Sequence, residues 1–301
     1  ELSQTLAPLG ARLTLGVRNP ELLATSPASF RSVYMDLSDP ESIRQAIATA
    51  EPDLLINPAA FTAVDLAESM PAEAMAVNGE AVGIIAEQMR ARGGFVIHFS
   101  TDYIYNPPHS YPITEEEEKR PQGQYARSKL EGEKQLQSSG VDSLCIRTSW
   151  VYGSQGKNFV KTMLQLGRQR TSLKVVNDQW GSPTSTETLA GFVRRILVAR
   201  EDDPISYLKS VKGVYNLADA GYTNWHKFAA EIFALAAGVD SRLIIDSLQA
   251  IGSEGYPTPA ARPSNSRLDL TKLREVFGFE PPYWQDSLKS FIKKIYAEAN
   301  S

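Results

Sequence analysis

The sequence predicts an α/β fold, a doubly wound parallel sheet with a smaller and less regular C-terminal region. Short, continuous apolar runs such as DLLINPA and FVIHFSTD recur with helix-like stretches between them, the pattern of parallel strands covered by helices on both faces. Beyond residue 150 this alternation loosens and Pro-rich passages appear. At 301 residues, 42% of them hydrophobic, the chain is long enough for one large domain or two smaller ones, each with its own core.

Residues 1–7 read as a short helix and residues 12–17 as a strand. DPESIRQAIATA follows as a helix with an Asp cap and Pro at its first position, then DLLINPA as a strand. Residues 63–92 form one long amphipathic stretch leading to the strand FVIHFSTD, the helix YARSKLEGEKQLQS and the strand SLCIRTSW. GKNFVKTMLQLGRQ and TSTETLAGFVRRILVAR read as helices on either side of the strand LKVVND, and GVYNLAD as one more sheet strand. A Pro-rich passage at 256–263 precedes two terminal helices near 269–277 and 286–299.

Bulk properties exclude several function classes. A net charge of −4 lacks the dense basic stripe of a nucleic-acid binder, and no apolar run approaches the roughly 20 residues that span a bilayer. No start resembles a signal peptide, so the expectation is a cytoplasmic protein without nucleic-acid or membrane partners. The single cysteine, Cys145, sits in a strand and reads as an inert core thiol. The acidic run at 115–118 reads as a solvated loop. His98, His109 and His226 share no zinc-ligand spacing. GSQGKNF is not a phosphate loop, because Val151 and Asn158 stand where that motif needs Gly and Ser or Thr.

Chemistry gathers around QYARSKLEGEK, where Tyr125 and Lys129 stand four apart in a helix-forming segment and share one face. A phenol titrates near pH 10; a neighbouring ammonium stabilises phenolate and makes the phenol a stronger general acid. Ser100, Thr101 and Asp102 end the preceding strand, where ligands of open α/β sheets collect. The Thr101 hydroxyl can then reach the same reacting oxygen as Tyr125.

These residues carry a resemblance. A strand ending in STDY, then YxxxK, then RTSWVYG resembles the extended short-chain dehydrogenase/reductases, which are Rossmann-like. NPAAFTAVDLAE, FSTDYIY, YARSKLEGE, RTSWVYG, NDQWGSPT and YPTPAARPSNSRLD are similar in wording and order to the dTDP-4-dehydrorhamnose reductase family. The resemblance implies hydride transfer from NADPH, or NADH, to the C4 ketone of a dTDP-linked 6-deoxy sugar. It gives the catalytic roles to Thr101, Tyr125 and Lys129: Tyr125 protonates the carbonyl oxygen, Thr101 fixes it, and Lys129 holds the nicotinamide ribose and biases the phenol.

For the cofactor, the resemblance implies Asp36 and Leu37 at the adenine, Pro58, Ala59 and Ala60 as a small-residue turn at the pyrophosphate and ribose, and Thr62 and Ser100 flanking the crevice. Arg18, just past the strand at 12–17, either pairs with a 2′-phosphate or is simply solvated. Asp102 and Trp150 fall to the sugar nucleotide, joined by Tyr103, Arg262 and Asn265, with Arg262 suited to a diphosphate. Some relatives hold a divalent cation such as Mg at a homodimer contact, and Glu1, Glu187 and Asp286 lie near the corresponding positions.

The resemblance further implies a strand and a GxxGxxG turn ahead of residue 1, with residues 1–6 matching the helix after that turn. The sequence is therefore expected to be a piece of a longer chain; the alternative is a chain that begins here and lacks its first, central strand. Residues 1–147 and 183–217 are expected to form the dinucleotide-binding domain, and 148–182 with 218–301 the substrate-binding region. Two other readings remain: a non-catalytic regulatory subunit of the same fold, and another nucleotide-sugar epimerase, dehydratase or reductase. The intact Thr101, Tyr125 and Lys129 set favours an enzyme, and a dehydratase would carry an Asp-Glu pair where Asp102 and Tyr103 stand.

Overall fold

A computed structural model describes residues 1–19, 21, 30–200 and 202–298. In chain order its first half holds α1 (Leu2–Leu6), β1 (Thr14–Val17), β2 (Arg31–Tyr34), α2 (Pro40–Ala50), β3 (Leu54–Asn57), α3 (Val64–Ser69), α4 (Pro71–Met75), α5 (Ala81–Ala91), β4 (Phe95–Thr101), α6 (Gly123–Ser139) and β5 (Asp142–Thr148). There follow β6 (Val151–Tyr152), α7 (Phe159–Gly167), β7 (Ser172–Val176), β8 (Trp180–Gly181), β9 (Thr184–Ser185), α8 (Thr186–Val198), α9 (Pro204–Ser210) and β10 (Gly213–Asn216). The chain ends with β11 (Thr223–Asn224), α10 (Trp225–Ala237), β12 (Ser247–Ile251), β13 (Asn265–Ser266), α11 (Thr271–Phe277) and α12 (Trp284–Glu298).

The central sheet is parallel, in the order β10-β5-β4-β3. β4 is its most buried strand and pairs along its whole length with β5, so Thr101 stands opposite Thr148 and His98 opposite Cys145. β1 and β2 form a separate parallel ribbon, and no ladder joins that ribbon to β3 among the described residues. β1 is partly buried with Gly16 exposed, and β3 is partly buried except for buried Asn57, whereas β4 is buried along nearly its whole length.

Apolar cores flank this sheet. One, centred on Ile85, Met89 and Val96, packs α2, α5 and α6 against one face; Cys145 lies in it, its thiol pushed up by burial, as an inert core residue. A second, around Phe192 and Ile146, packs α1, α8, α9 and α11 against the other. A third core lies in the C-terminal region around Phe228, Trp284 and Phe291.

Several elements differ from the sequence expectation. The amphipathic stretch at 63–92 is broken, because Pro71 starts α4 afresh and residues Ala76–Glu80 form a π-helical turn. α10 has no counterpart among the expected elements, although Asn224 caps it by accepting from Lys227 N at 2.9 Å and Gly238 follows its last residue. The acidic run is not simply solvated: Glu115 is buried and accepts from Asn216 N at 2.8 Å, while Glu117 meets His109 and Glu118 meets Arg120.

Candidate active site

The site forms where β4 ends and α6 begins. Thr101 closes β4 in extended backbone, and its hydroxyl accepts from Tyr103 N at 3.2 Å and donates to Asp102 Oδ1 at 3.1 Å. The Tyr125 phenol, in the first turn of α6, lies close enough to Thr101 for that hydroxyl to ease its ionisation. Burial outweighs this and, with Asp102 nearby, pushes the phenol up to about 12. Tyr103 packs edge-on against Tyr125, ring centroids 5.5 Å apart.

α6 is held in register from three directions. Glu68 of α3 accepts from Gln124 N at 2.7 Å, supplying the N-terminal cap that Gln122 does not. Asn78, in the π-turn, donates to Ser128 Oγ and Phe61 O at 3.0 Å each and accepts from Phe61 N at 2.7 Å. It thereby ties the loop after Pro58, Ala59 and Ala60 to the helix bearing Tyr125 and Lys129. Glu133 forms a bidentate, buried ion pair with Arg147 of β5, at 3.0 and 2.7 Å. Sequence reasoning missed Glu68, Asn78, Glu133 and Arg147: Glu133 lies on α6 itself and the other three reach the helix from distant segments, so no local spacing reveals the pairings.

Lys129 corrects an expectation. It shares the face of Tyr125, but its ammonium does not reach toward the phenol: Nζ donates to Phe99 O at 2.7 Å and lies 3.4 Å from His98 Nε2. Burial pulls Lys129 down to about 8, and Lys129 is not among the groups that move Tyr125. The phenol is raised, where its pairing with Lys129 led to the expectation of a lowered one. His98, fully buried and held neutral by burial and by Lys129, places its other ring nitrogen 3.3 Å from Asn57 Nδ2.

The remaining expected residues fall into three groups. Ser100 is buried at the same strand end with its hydroxyl unpartnered, as are Asp102 Oδ2 and Thr148 Oγ1. Burial pushes Asp102 up to about 6, its hydrogen bonds opposing. These unpaired atoms cluster at one mouth of the sheet, where groups able to bond a ligand are otherwise without partners. Pro58, Ala59 and Thr62 are exposed and Ala60 half-buried. Asp36 follows β2 and binds Ser38 N and Oγ; exposed Arg18 follows β1, near enough to help hold the Asp36 carboxyl low after those bonds. Leu37 packs into the core beside α2 and α5.

Arg262 lies within electrostatic reach of Tyr103 and pairs with Asp65 Oδ2 at 2.8 Å. Trp150 follows β5 and stacks on Trp225, a residue the sequence did not single out. Asn265 departs from its expected role: its amide donates to His109 O and Tyr111 O at 3.0 Å each and accepts from Arg267, so it holds a loop and has no free valence for a ligand.

The cation residues do not fit a divalent metal. Lys294 of α12 puts its ammonium 2.7 Å from Glu187 Oε1 and 3.6 Å from Glu1 Oε1, so a protein cation already stands between them. Asp286 is exposed in the first turn of α12, about two turns before Lys294. Among the described residues no cluster of three His, Cys, Asp or Glu forms a metal cage, and no helix is long and apolar enough to cross a membrane.

Comparison with known proteins agrees with this geometry. The dTDP-4-dehydrorhamnose reductase of Shigella flexneri is 37% identical over 296 residues, 98% of this chain and 94% of the relative. The crystal structure of a Clostridium acetobutylicum dTDP-4-dehydrorhamnose reductase is 30% identical, with a TM-score of 0.78 over 91% of this chain and 93% of that one. The Bacillus anthracis dTDP-4-dehydrorhamnose reductase, solved in complex with NADP, is 26% identical with a TM-score of 0.79 over 94% and 98% of the two chains. A family model described as the RmlD substrate binding domain matches residues 7–297. With a strand end and helix of the reductase pattern and likeness along nearly the whole chain, the protein belongs to the dTDP-4-dehydrorhamnose reductase family.

Proposed function

We propose that the protein reduces the C4 ketone of dTDP-4-dehydro-L-rhamnose to dTDP-L-rhamnose with NADPH or NADH. The observation that carries this reading is the meeting of the Thr101 hydroxyl, the Asp102 carboxyl and the Tyr125 phenol at the mouth of β4. The residues fit a nicotinamide dinucleotide: Ser100 has a buried hydroxyl without a partner, and Lys129 offers more ammonium protons than Phe99 O requires. A bound reduced nicotinamide supplies the hydride.

The chain's own residues do the rest. Tyr125, held up at about 12, is protonated at neutral pH, the state a reduction needs. It donates its proton to the carbonyl oxygen as negative charge develops there. Thr101 turns its hydroxyl from Asp102 to that oxygen, orienting the carbonyl. Lys129 binds the ribose. Arg262 exchanges Asp65 for the substrate diphosphate, an anion it matches bidentately. Arg18, exposed beside Asp36, favours a 2′-phosphate and hence NADPH.

Residues 1–147 and 183–217 take the cofactor side and 148–182 with 218–301 the sugar side. In support, every buried member of the core around Phe228 comes from the latter set. A cytoplasmic homodimer completes the reading, without a metal at Glu1, Glu187 and Asp286.

The test is consumption of NADPH with dTDP-4-dehydro-L-rhamnose, read by absorbance and by isolating dTDP-L-rhamnose. Tyr125→Phe is expected to lower kcat by about 10²–10⁴-fold while keeping cofactor affinity. Wild-type turnover no faster than that of Tyr125→Phe removes the reading.

A further inference from the structure

We propose that Trp225 is a positioning residue for Trp150, clamping that indole as a fixed wall of the sugar-nucleotide site; the ligand half of this rests on the reductase reading. Trp150 has φ +48°, a left-handed backbone that costs a bulky residue about 1–2 kcal/mol. Glu51, the other non-glycine with positive φ among the described residues, merely ends α2. Trp150 sits two residues beyond Thr148, the partner of Thr101 in the sheet, so its strain lies beside the reacting groups, where strained conformations are retained for a purpose.

Two features hold it there. The Trp150 and Trp225 rings stack with centroids 3.6 Å apart and planes within 12°. Elsewhere on the ring, a Cβ at Gly181 would lie 2.7 Å from Trp150 Cε2, so only glycine leaves room for the indole. Trp225 is itself braced. It is the first residue of α10, behind the Asn224 cap, and packs against Phe159 at 4.5 Å. A rigid aromatic placed before the ligand arrives does not have to be ordered on binding.

The stack is read without any ligand, because two indoles at this separation couple excitonically in circular dichroism. Wild type is expected to show the couplet, and both Trp225→Ala and Trp150→Phe to lose it while keeping the wild-type far-UV helical signal and a cooperative thermal transition. For Trp225→Ala, KM for the sugar nucleotide and the calorimetric Kd for dTDP-L-rhamnose should rise about tenfold, with kcat and NADPH affinity near wild type. Trp225→Phe should recover most of the affinity. A couplet that survives either substitution overturns the clamp, and so does a lost couplet with wild-type KM and Kd. Should wild type neither reduce nor bind the dTDP-sugar, the reductase reading fails, and the couplet still decides whether Trp225 holds Trp150.

Discussion

Asp102 is buried at the tip of β4 with one carboxylate oxygen unpaired, and burial lifts its carboxyl from 3.8 to about 6. The folded state therefore holds this proton more tightly than the unfolded state between those values. Stability is lost as pH rises through that window, and the full cost, roughly 3 kcal/mol, is present above it. Asp102→Asn removes the penalty. In urea unfolding the variant should gain roughly 2 to 2.5 kcal/mol relative to wild type on going from pH 4 to pH 7.5, because part of the penalty is already present at pH 4, while reductase activity falls. A difference between the two proteins that stays constant with pH sinks the assignment. A carboxylate kept at this cost marks a site shaped for ligand before stability. The identities of Thr101, Asp102 and Tyr125 were legible from a strand end followed by YxxxK. The fate of Lys129 was not, because a spacing of four fixes a shared helix face but not a rotamer, and Phe99 O and His98 draw the amine elsewhere.

Tyr125 and Lys129 keep their places only as long as α6 does, and at Gly132 that helix lies directly against the backbone of the π-turn. A Cβ there would collide with the Asn78 carbonyl oxygen in the π-turn and crowd Val82 at 3.2 Å. The Asn78 carbonyl is backbone of a packed turn, so it cannot yield cheaply. Gly132→Ala is expected to destabilise by about 1–3 kcal/mol in urea unfolding, and by shifting the helix to lower kcat about 10²-fold. Gly83→Ala is the control, since its Cβ would meet only the flexible Gln135 side chain, at 3.1 Å. It should match wild type within about 0.5 kcal/mol. Equal stability of Gly132→Ala and wild type would refute the close-packing account. Strands and most helices were legible at this scale from apolar runs and caps. The π-turn was not: the bonds of the Asn78 side chain within it run to Phe61 and Ser128, 17 and 50 residues away, and leave no local pattern. α10 left a legible signal in its Asn cap and trailing Gly.

Over the whole molecule, distant segments meet in ways the linear order conceals, and the corner of Glu1, Glu187 and Lys294 shows the consequence for charge. Two carboxylates from α8 and the start of the chain converge on an ammonium from α12. The resemblance offered Glu1 and Glu187, with Asp286, as cation ligands; the cation that answers the two glutamates, Lys294, stands 107 residues from Glu187 and was hidden by that separation. Lys294 is 36% and Glu187 40% exposed, so the pair contributes no more than about 1 kcal/mol. Its effect is to neutralise the repulsion that an external divalent ion would otherwise have to offset. The Tm of wild type is therefore expected to be the same in EDTA and in millimolar MgCl₂. Lys294→Gln leaves Glu1 and Glu187 facing each other without their cation. Its Tm should be slightly below wild type in EDTA and recover on adding Mg²⁺, with the recovery abolished by a second change, Glu187→Gln. A wild-type Tm that climbs with Mg²⁺, and stops doing so in Glu187→Gln alone, would show that the glutamates recruit a metal despite the lysine between them.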